Sequence, residues 1–380
     1  MITCGIILQE NLELRKLFKD KTRKENMIVH TADSHLGITR YFKIDPETGL
    51  NIRLLDFCYA FREVIDFVVE NRPELFLISG DLFDKVNPTN FIRKFVQREL
   101  FRVSDVNVNT FIIPGNHETP RTRGVTNPLA LYMSIPHIFV GLKPFEKKMG
   151  NYKIYGVPYT ENPEDHIKRP ERGYKNILML HTTIEGSKLS SERYMSFDES
   201  TILPSKIPEY DYVALGHIHK FQILKERFVY PGSLEKYDFS EIDDDKGFVV
   251  IDKDIDFIKT KTREMIDFNI PCENKTGFEI TEEALEKLEK INDKIVRVSL
   301  EGKLPAGDKK NINYQKIRER ANSALYFILK DITLSEKVSD FREEKLLFSP
   351  KKELKNYLEN SNQSFAYEAG AGIIDEVLGF

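Results

Sequence analysis

Between residues 27 and 255, short apolar runs alternate with stretches whose apolar positions recur every three or four residues. The runs predict strands at 28–32, 75–79 and 109–114, and the periodic stretches predict helices at 54–69 and 89–102. That is a βαβαβ rhythm. Further strands are predicted at 152–157, 176–180, 212–215 and 247–251, which makes a layered α/β domain whose sheet ends near residue 255.

The pattern restarts over 264–330 as strand, helix, strand, helix, a small second domain. Thr281 is the expected N-cap of its helix, with Glu282 and Glu283 in the first turn, and 295–300 is a β-branched strand. Residues 1–26 are rich in Lys and Glu and precede the first convincing strand, so they are expected to be an extension or a start-site artefact. Residues 331–380 change character. Ser349-Pro350 opens a short charged helix, 359–372 is a polar glycine-containing linker, and 372–380 ends the chain with an apolar face.

Composition narrows the function classes. Of 380 residues, 41% are apolar, enough for a real core. The 56 Lys and Arg are balanced by 60 Asp and Glu, and no region is strongly basic, so bulk charge gives no sign of a polyanion-binding surface. Cys4, Cys58 and Cys272 stand far apart in no metal or disulfide pattern and fit small buried hydrophobes in a reducing interior. No apolar run approaches the ~18 residues of a membrane span, and the expectation is a soluble intracellular, cytoplasmic protein.

The chemistry is concentrated in the histidines. Five of the eight, His35, His117, His181, His217 and His219, lie just beyond predicted strands, next to Asp, Asn and Gly. In an open α/β sheet, loops at the carboxyl ends of strands converge on one crevice. The segments are Asp33-Ser34-His35-Leu36-Gly37, Gly80-Asp81-Leu82-Phe83-Asp84, Gly115-Asn116-His117-Glu118, His181, and Gly216-His217-Ile218-His219. Residues i and i+2 of an extended segment point to one side, so Asp33 with His35, and His217 with His219, can each offer two donors to one pocket. Asn116 can face a metal while His117 points towards substrate. Carboxylate, imidazole and amide donors without thiolate suit divalent Mn, Fe, Zn or Co, and the arrangement reads as a two-metal site. His30, His137 and His166 are expected to pack or to lie on the surface, and the acidic run 241–245 reads as a solvated turn.

Taken in order, DxH, GDxxD, GNH with an acid, a lone His and GHxH resemble the calcineurin-like metallophosphoesterase superfamily, with Tyr230-Pro231-Gly232-Ser233 similar to its later PGS turn. The resemblance implies that Asp33, His35, Asp81 and His219 hold one ion and that Asp81, Asn116, His181 and His217 hold the other, Asp81 bridging. His117 would donate to the phosphate or protonate the leaving oxygen. The DSHLG and GDLF segments and the small second domain are similar to the double-strand-break repair nuclease branch, the SbcD-like or meiotic recombination eleven family. Members of that branch often carry His at the position held here by Asp84; the wider superfamily's pattern has Asp, implying a partner that orients His117.

The expectations that follow are these. The fold class is α/β, a layered metallophosphoesterase sandwich (27–255) with a small α/β capping domain for DNA (264–330) and a linker with a helical, partner-binding tail (331–380). The chain would cut DNA ends and single-stranded or hairpin DNA with two divalent ions, Mn2+ first, leaving 3′-hydroxyl and 5′-phosphate groups. Its partners would be DNA ends, a second copy of itself through helices after Phe83 and near 129–133, and an SMC-like zinc-hook ABC ATPase docked on the tail. The competing expectations are a small-molecule phosphodiesterase or phosphoprotein phosphatase on the same core, and a non-catalytic scaffold.

Overall fold

The computed structural model describes residues 24–122, 124–188, 201–304 and 307–335. The expected extension up to residue 23, Cys4, and the helix, linker and docking segment of 336–380 lie outside the described residues.

In chain order the elements are β1 (Lys24–Thr31), α1 (Ile52–Asn71), β2 (Pro73–Ser79), α2 (Asn90–Asp105), β3 (Asn109–Ile113), β4 (Ile138–Val140), β5 (Phe145–Met149), β6 (Tyr152–Val157), β7 (Lys175–His181), β8 (Thr183–Ile184), β9 (Thr201–Ile202), β10 (Tyr212–Gly216), β11 (Gln222–Leu224), β12 (Phe228–Tyr230), β13 (Gly247–Ile251) and β14 (Ile255–Lys259). They form two six-stranded sheets, in the orders β14-β13-β1-β2-β3-β4 and β11-β12-β10-β7-β6-β5. The strands β1, β2, β3 and β4 run parallel, as do β6, β7, β10 and β12.

Period-two alternation explains the layers. Leu75 and Leu77 of β2 face the second sheet and meet Ile177, Met179 and Ala214 there, whereas Phe76 and Ile78 face the helices. Leu178, Leu180, Val213 and Leu215 fill the outer face of the second sheet. Each central strand is buried on both faces, which is why it reads as an unbroken apolar run.

The helix α1 starts at Asn51, whose side chain accepts from the Leu54 N–H, and buries Leu54, Phe57, Phe61, Val64, Ile65 and Val68 along one stripe. The element near 129–133 is a 3-10 turn, Pro128–Tyr132, with proline in its first turn. The first strand begins three residues before Met27, and its pairing with β2 slips where Asn26 takes a positive φ of 65°.

The small domain is a three-stranded parallel sheet, β15 (Met265–Pro271), β16 (Ile295–Leu304) and β17 (Tyr326–Ser335), with α3 (Gly277–Lys287) and α4 (Tyr314–Arg320). It carries a third strand beyond the predicted strand-helix-strand-helix order. Thr281 is not the N-cap of α3. Thr276 is, with Glu279 completing a capping box, and Thr281 lies inside the helix with its hydroxyl donating to the Gly277 carbonyl. The two domains share an apolar seam of Phe239, Met265, Ile295 and Leu325, packed by Tyr41, Ile52, Ile242 and Ile328. Arg263 ties them further, pairing with Asp56 of α1 at 2.6 Å and with Asp293 at 2.5 Å. No helix among the described residues is long and apolar enough to cross a membrane.

Candidate metal centre

The carboxyl ends of β1, β2, β3, β7 and β10 converge at one edge where the two sheets meet. Loop backbones are laced across it: the Asp33 N–H donates to the Gly80 carbonyl, and the His35 N–H donates to that of Asp81, at 3.1 and 2.9 Å. All nine residues expected at the site are brought to this edge.

Asp33, His35 and His219 form one cluster of ligand atoms, and Asp81, His181 and His217 form another. Asn116 Oδ1 belongs to the second, 3.0 Å from His181 Nε2 and 3.2 Å from His217 Nδ1. The Asp81 carboxylate stands between the clusters. Its Oδ2 is 3.3 Å from His181 Nε2 and 3.8 Å from His35 Nε2, while Oδ1 accepts from the His117 N–H at 2.9 Å. Asp33 accepts from the His217 N–H with both oxygens, at 2.9 and 3.0 Å.

Of the expected i, i+2 pairs, Asp33 and His35 share a cluster while His217 and His219 divide between the two, and the backbone is not extended. Asp33, His35, Asp81 and His217 have φ of 51°, 43°, 50° and 98°, so these segments are tight turns in the left-handed region. Such conformations cost ~1–3 kcal/mol each and persist where the surroundings impose them. Gly80 makes the crowding possible: at φ +94° it leaves room where a Cβ would lie 2.1 Å from His181 Nδ1.

The donor set fits two cations. His35 and His219 turn their Nε2 atoms towards each other at 2.9 Å, a contact that needs a proton or a cation between two lone pairs. The outer nitrogens are pinned elsewhere. His181 Nδ1 faces the Ser79 carbonyl at 2.8 Å, and His219 Nδ1 faces the Glu241 carboxylate at 2.7 Å. This fixes each Nε2 as the atom offered to the site. The electrostatics agree. Burial opposes charge on Asp81, but the field and hydrogen bond of His181, with the fields of His35 and His117, hold its carboxyl well below the usual range. Burial likewise opposes charge on His181, yet Asp81 raises it to about 9. Burial pushes the Asp33 carboxyl up, and the charge of Asp81 adds to the shift.

Two carboxylates with no role in the sequence reading organise the loops. Glu118, fully buried, accepts from the N–H groups of Asp81, Phe83 and Gly115 at 3.1, 2.9 and 2.9 Å, stapling the β2 loop to the β3 loop. Burial, reinforced by Asp81, pushes its carboxyl up to about 8. The acid of the Gly-Asn-His-acid motif was its signal.

Glu241 corrects the expected solvated turn. Only Asp243 and Asp245 of the acidic run are exposed, while Glu241 and Asp244 are buried. Besides His219, Glu241 accepts from the Tyr237 N–H at 2.8 Å and pairs with the buried Lys246 at 2.8 Å. Glu241→Gln should weaken metal binding ~10–100-fold through loss of this support to His219. It should also lower stability by roughly 1–3 kcal/mol, because Lys246 loses its nearer countercharge and keeps only Asp244, at 4.0 Å. Calorimetric Mn2+ titration and urea unfolding measure both, and wild-type values in both would refute the role given to Glu241.

His117 stands edge-on to the His35 ring, with centroids 4.5 Å apart, and forms a third cluster of ligand atoms with His35 and Asp84. Its side chain is 33% exposed, its Nδ1 faces the Asp84 backbone carbonyl at 2.9 Å, and its Nε2 is 4.0 Å from Asp81 Oδ2. The Asp84 carboxylate is 4.0 Å from His117 Nδ1, so the close contact between these two residues runs through the main chain. A cleft of about 470 Å³ opens beside Asn116 and His117, with Lys85 and Arg121 on its rim. His30 is a satisfied core histidine between Tyr212 Oη and Ser79 Oγ, at 2.9 and 3.0 Å, and burial lowers it to about 3. His137 and His166 are exposed.

A family model described as calcineurin-like phosphoesterase matches residues 27–221. The DNA double-strand break repair protein Mre11 of Methanocaldococcus jannaschii is 31% identical to this chain over 296 residues, covering 71% of this chain and 75% of that protein. The uncharacterized metallophosphoesterase YhaO of Bacillus subtilis is 28% identical, covering 73% and 72%. The Mre11 protein of Saccharolobus solfataricus is 25% identical, covering 80% and 82%. The chain belongs to the calcineurin-like phosphoesterase family, in the branch that holds the Mre11 proteins, and is a metal-dependent phosphodiesterase.

Proposed function

We propose that this chain is a DNA double-strand-break repair nuclease that hydrolyses DNA phosphodiesters with two divalent ions, Mn2+ first. The observation that carries the reading is the Asp81 carboxylate, whose Oδ2 faces His35 of one ligand cluster and His181 of the other. Asp33, His35, Asp81 and His219 would hold one ion, and Asp81, Asn116, His181 and His217 the other. The ions would supply positive charge against the phosphodiester and lower the pKa of the attacking water.

The protein's own part is positional. Tight turns hold the carboxylates where their repulsion needs cations, and Glu118 and Glu241 keep the turns in place. With Nδ1–H donated to the Asp84 carbonyl, protonated His117 would turn Nε2–H towards the scissile group. It would give that proton to the departing 3′ oxygen, leaving a 5′-phosphate.

The names of the Mre11 relatives, DNA double-strand break repair proteins, support DNA as the substrate; on it we assign the chain 3′ to 5′ exonuclease activity and endonuclease activity on single strands and hairpins. The small domain at 264–335 meets the core along the seam that includes Phe239 and Ile242, on either side of Glu241, and we assign it the capping of bound DNA. The exposed Tyr59, Phe91, Phe101, Leu131 and Met133 on α1, α2 and the 3-10 turn offer an apolar face for a second copy. Of the expected linker and tail at 331–380, residues 331–335 instead end β17, and 336–380 are assigned to docking an SMC-like ATPase.

One assay tests the reading: metal-stripped full-length chain refilled with Mn2+, Mg2+ or Zn2+, on end-labelled duplex DNA beside a phosphopeptide and a small phosphodiester. Mn2+-dependent release of nucleotides from DNA ends, with little phosphopeptide turnover, is expected. Preference for the phosphopeptide would make it a phosphatase, and no metal-dependent turnover on any substrate would make it a scaffold.

A further inference from the structure

We propose that the acid-rimmed groove on the helical side of the small domain holds a basic segment of this same chain, residues 345–355, which lies outside the described residues. The inference stands apart from the nuclease reading.

The groove runs between α3 and α4 and measures about 840 Å³. Six glutamates line it, Glu286 and Glu319 among them, against two cations, Lys316 and Arg320. Both cations are already engaged, Lys316 with Glu282 at 2.9 Å and Arg320 with Glu289 at 4.0 Å. The groove therefore keeps a surplus of negative charge. It is also apolar in part. Leu285 is half-buried in it, and Phe278, 68% exposed, is the most exposed large apolar side chain among the described residues. A bare phenylalanine set among acids suits an occupant that brings cations and apolar side chains together.

DNA is not that occupant. The small sheet sends Met265, Ile295 and Ile328 to the seam with the core, and Val296, Val298 and Leu300 to its own helices. The groove lies on the helical side, so it opens away from the metal centre, and its charge repels a polyanion.

The chain itself leads to the groove. Strand β17 ends at Ser335, the register partner of Leu304 at the end of β16. After β16 the backbone at 308–311 turns against the start of α3, so closely that a Cβ on Gly277 would lie 2.6 Å from the Asp308 carbonyl oxygen. Ser335 and the Phe278 end of the groove are thus at one end of the domain. The nine residues 336–344 span up to ~30 Å, about twice the ~16 Å length of α3. Beyond them come Lys345, Lys351, Lys352 and Lys355 against a single acid, Glu353, with Leu346, Leu347 and Phe348 in between. The lysines match the glutamates, and the apolar trio matches Phe278 and Leu285. A tether of this length sets an effective concentration on the order of mM, so individually weak surface pairs suffice. The rest of the stretch assigned to partner docking, 356–380, then starts beside the small domain.

Full-length chain, half of it 15N-labelled, is treated with a zero-length carbodiimide, which joins a lysine amine to a carboxylate it touches, and the linked peptides are weighed. Links run from Lys345, Lys351, Lys352 or Lys355 to the groove glutamates, each within one chain and so never of mixed label. Lys351→Glu/Lys352→Glu lowers the yield from Lys345 and Lys355 at least ~10-fold, because like charges then face each other. Glu286→Lys/Glu289→Lys does the same to links at Glu282 and Glu319, and combining the two double variants restores them. The first double variant leaves the folded small domain untouched, so it decides the matter if the second does not fold. No links to the groove, or equal yields at acids elsewhere such as the exposed Asp243 and Asp245, overturn the proposal. Mixed-label links overturn it too, giving the groove to a second copy.

Discussion

Asp81→Asn should bind fewer than two ions and lose at least ~10³-fold in turnover on DNA. The carboxylate faces both clusters of candidate ligands, with Oδ2 3.3 Å from His181 and 3.8 Å from His35. Its asparagine replacement has nearly the same shape and keeps an oxygen for the His117 N–H, so the loops are expected to stay in place. What disappears is the shared negative charge. Several kcal/mol of electrostatic stabilisation of the transition state go with it, at ~1.4 kcal/mol per decade of rate. Mn2+ stoichiometry and single-turnover hydrolysis, measured on one preparation, check both halves. Two bound ions with turnover within tenfold of wild type would remove Asp81 from its bridging role.

His117→Asn should separate chemistry from metal binding. The side chain is a third exposed, touches the site through its Nδ1 contact to the Asp84 carbonyl and its edge-on packing against the His35 ring, and keeps its Nε2 4.0 Å from the nearest carboxylate oxygen. Both ions should bind with wild-type affinity while kcat falls ~10²–10⁴-fold, the span usual for loss of a general acid, with KM for DNA little changed. Unchanged phosphodiesterase rates would exclude the role, and loss of an ion would place His117 among the ligands.

How much of this was legible depends on the kind of interaction involved. The double-faced strands declared themselves because burial on both sides leaves runs such as Leu75, Phe76, Leu77 and Ile78 with no polar break. The candidate ligands stood out because their residue types are rare and lie just after those runs. Glu118 was visible only as the acid that follows Gly-Asn-His, with no hint of the three N–H groups it accepts from.

Glu241 was illegible in principle. It sits a few residues from Asp243 and Asp245, which are solvated, and only the fold brings His219 and Lys246 onto it. The N-cap of α3 was misplaced because Thr276 and Thr281 are both followed by acids, and it is Thr276, with Glu279 three residues on, that closes the capping box. The i, i+2 argument assumed an extended geometry that the positive φ values of Asp33, His35 and His217 replace; Asp33 and His35 fall in one cluster of candidate ligand atoms, whereas His217 and His219 fall in different ones. The balanced charge was uninformative about DNA because the positive charge the site needs would come from its ions.

The most direct test of the central claim is anomalous diffraction from crystals of the full-length chain equilibrated with Mn2+. The account predicts two anomalous peaks ~3.5–4 Å apart, one among Asp33, His35 and His219, the other among Asn116, His181 and His217, with Asp81 touching both. A single peak, or none with Asp81 turned away from one cluster, would contradict it.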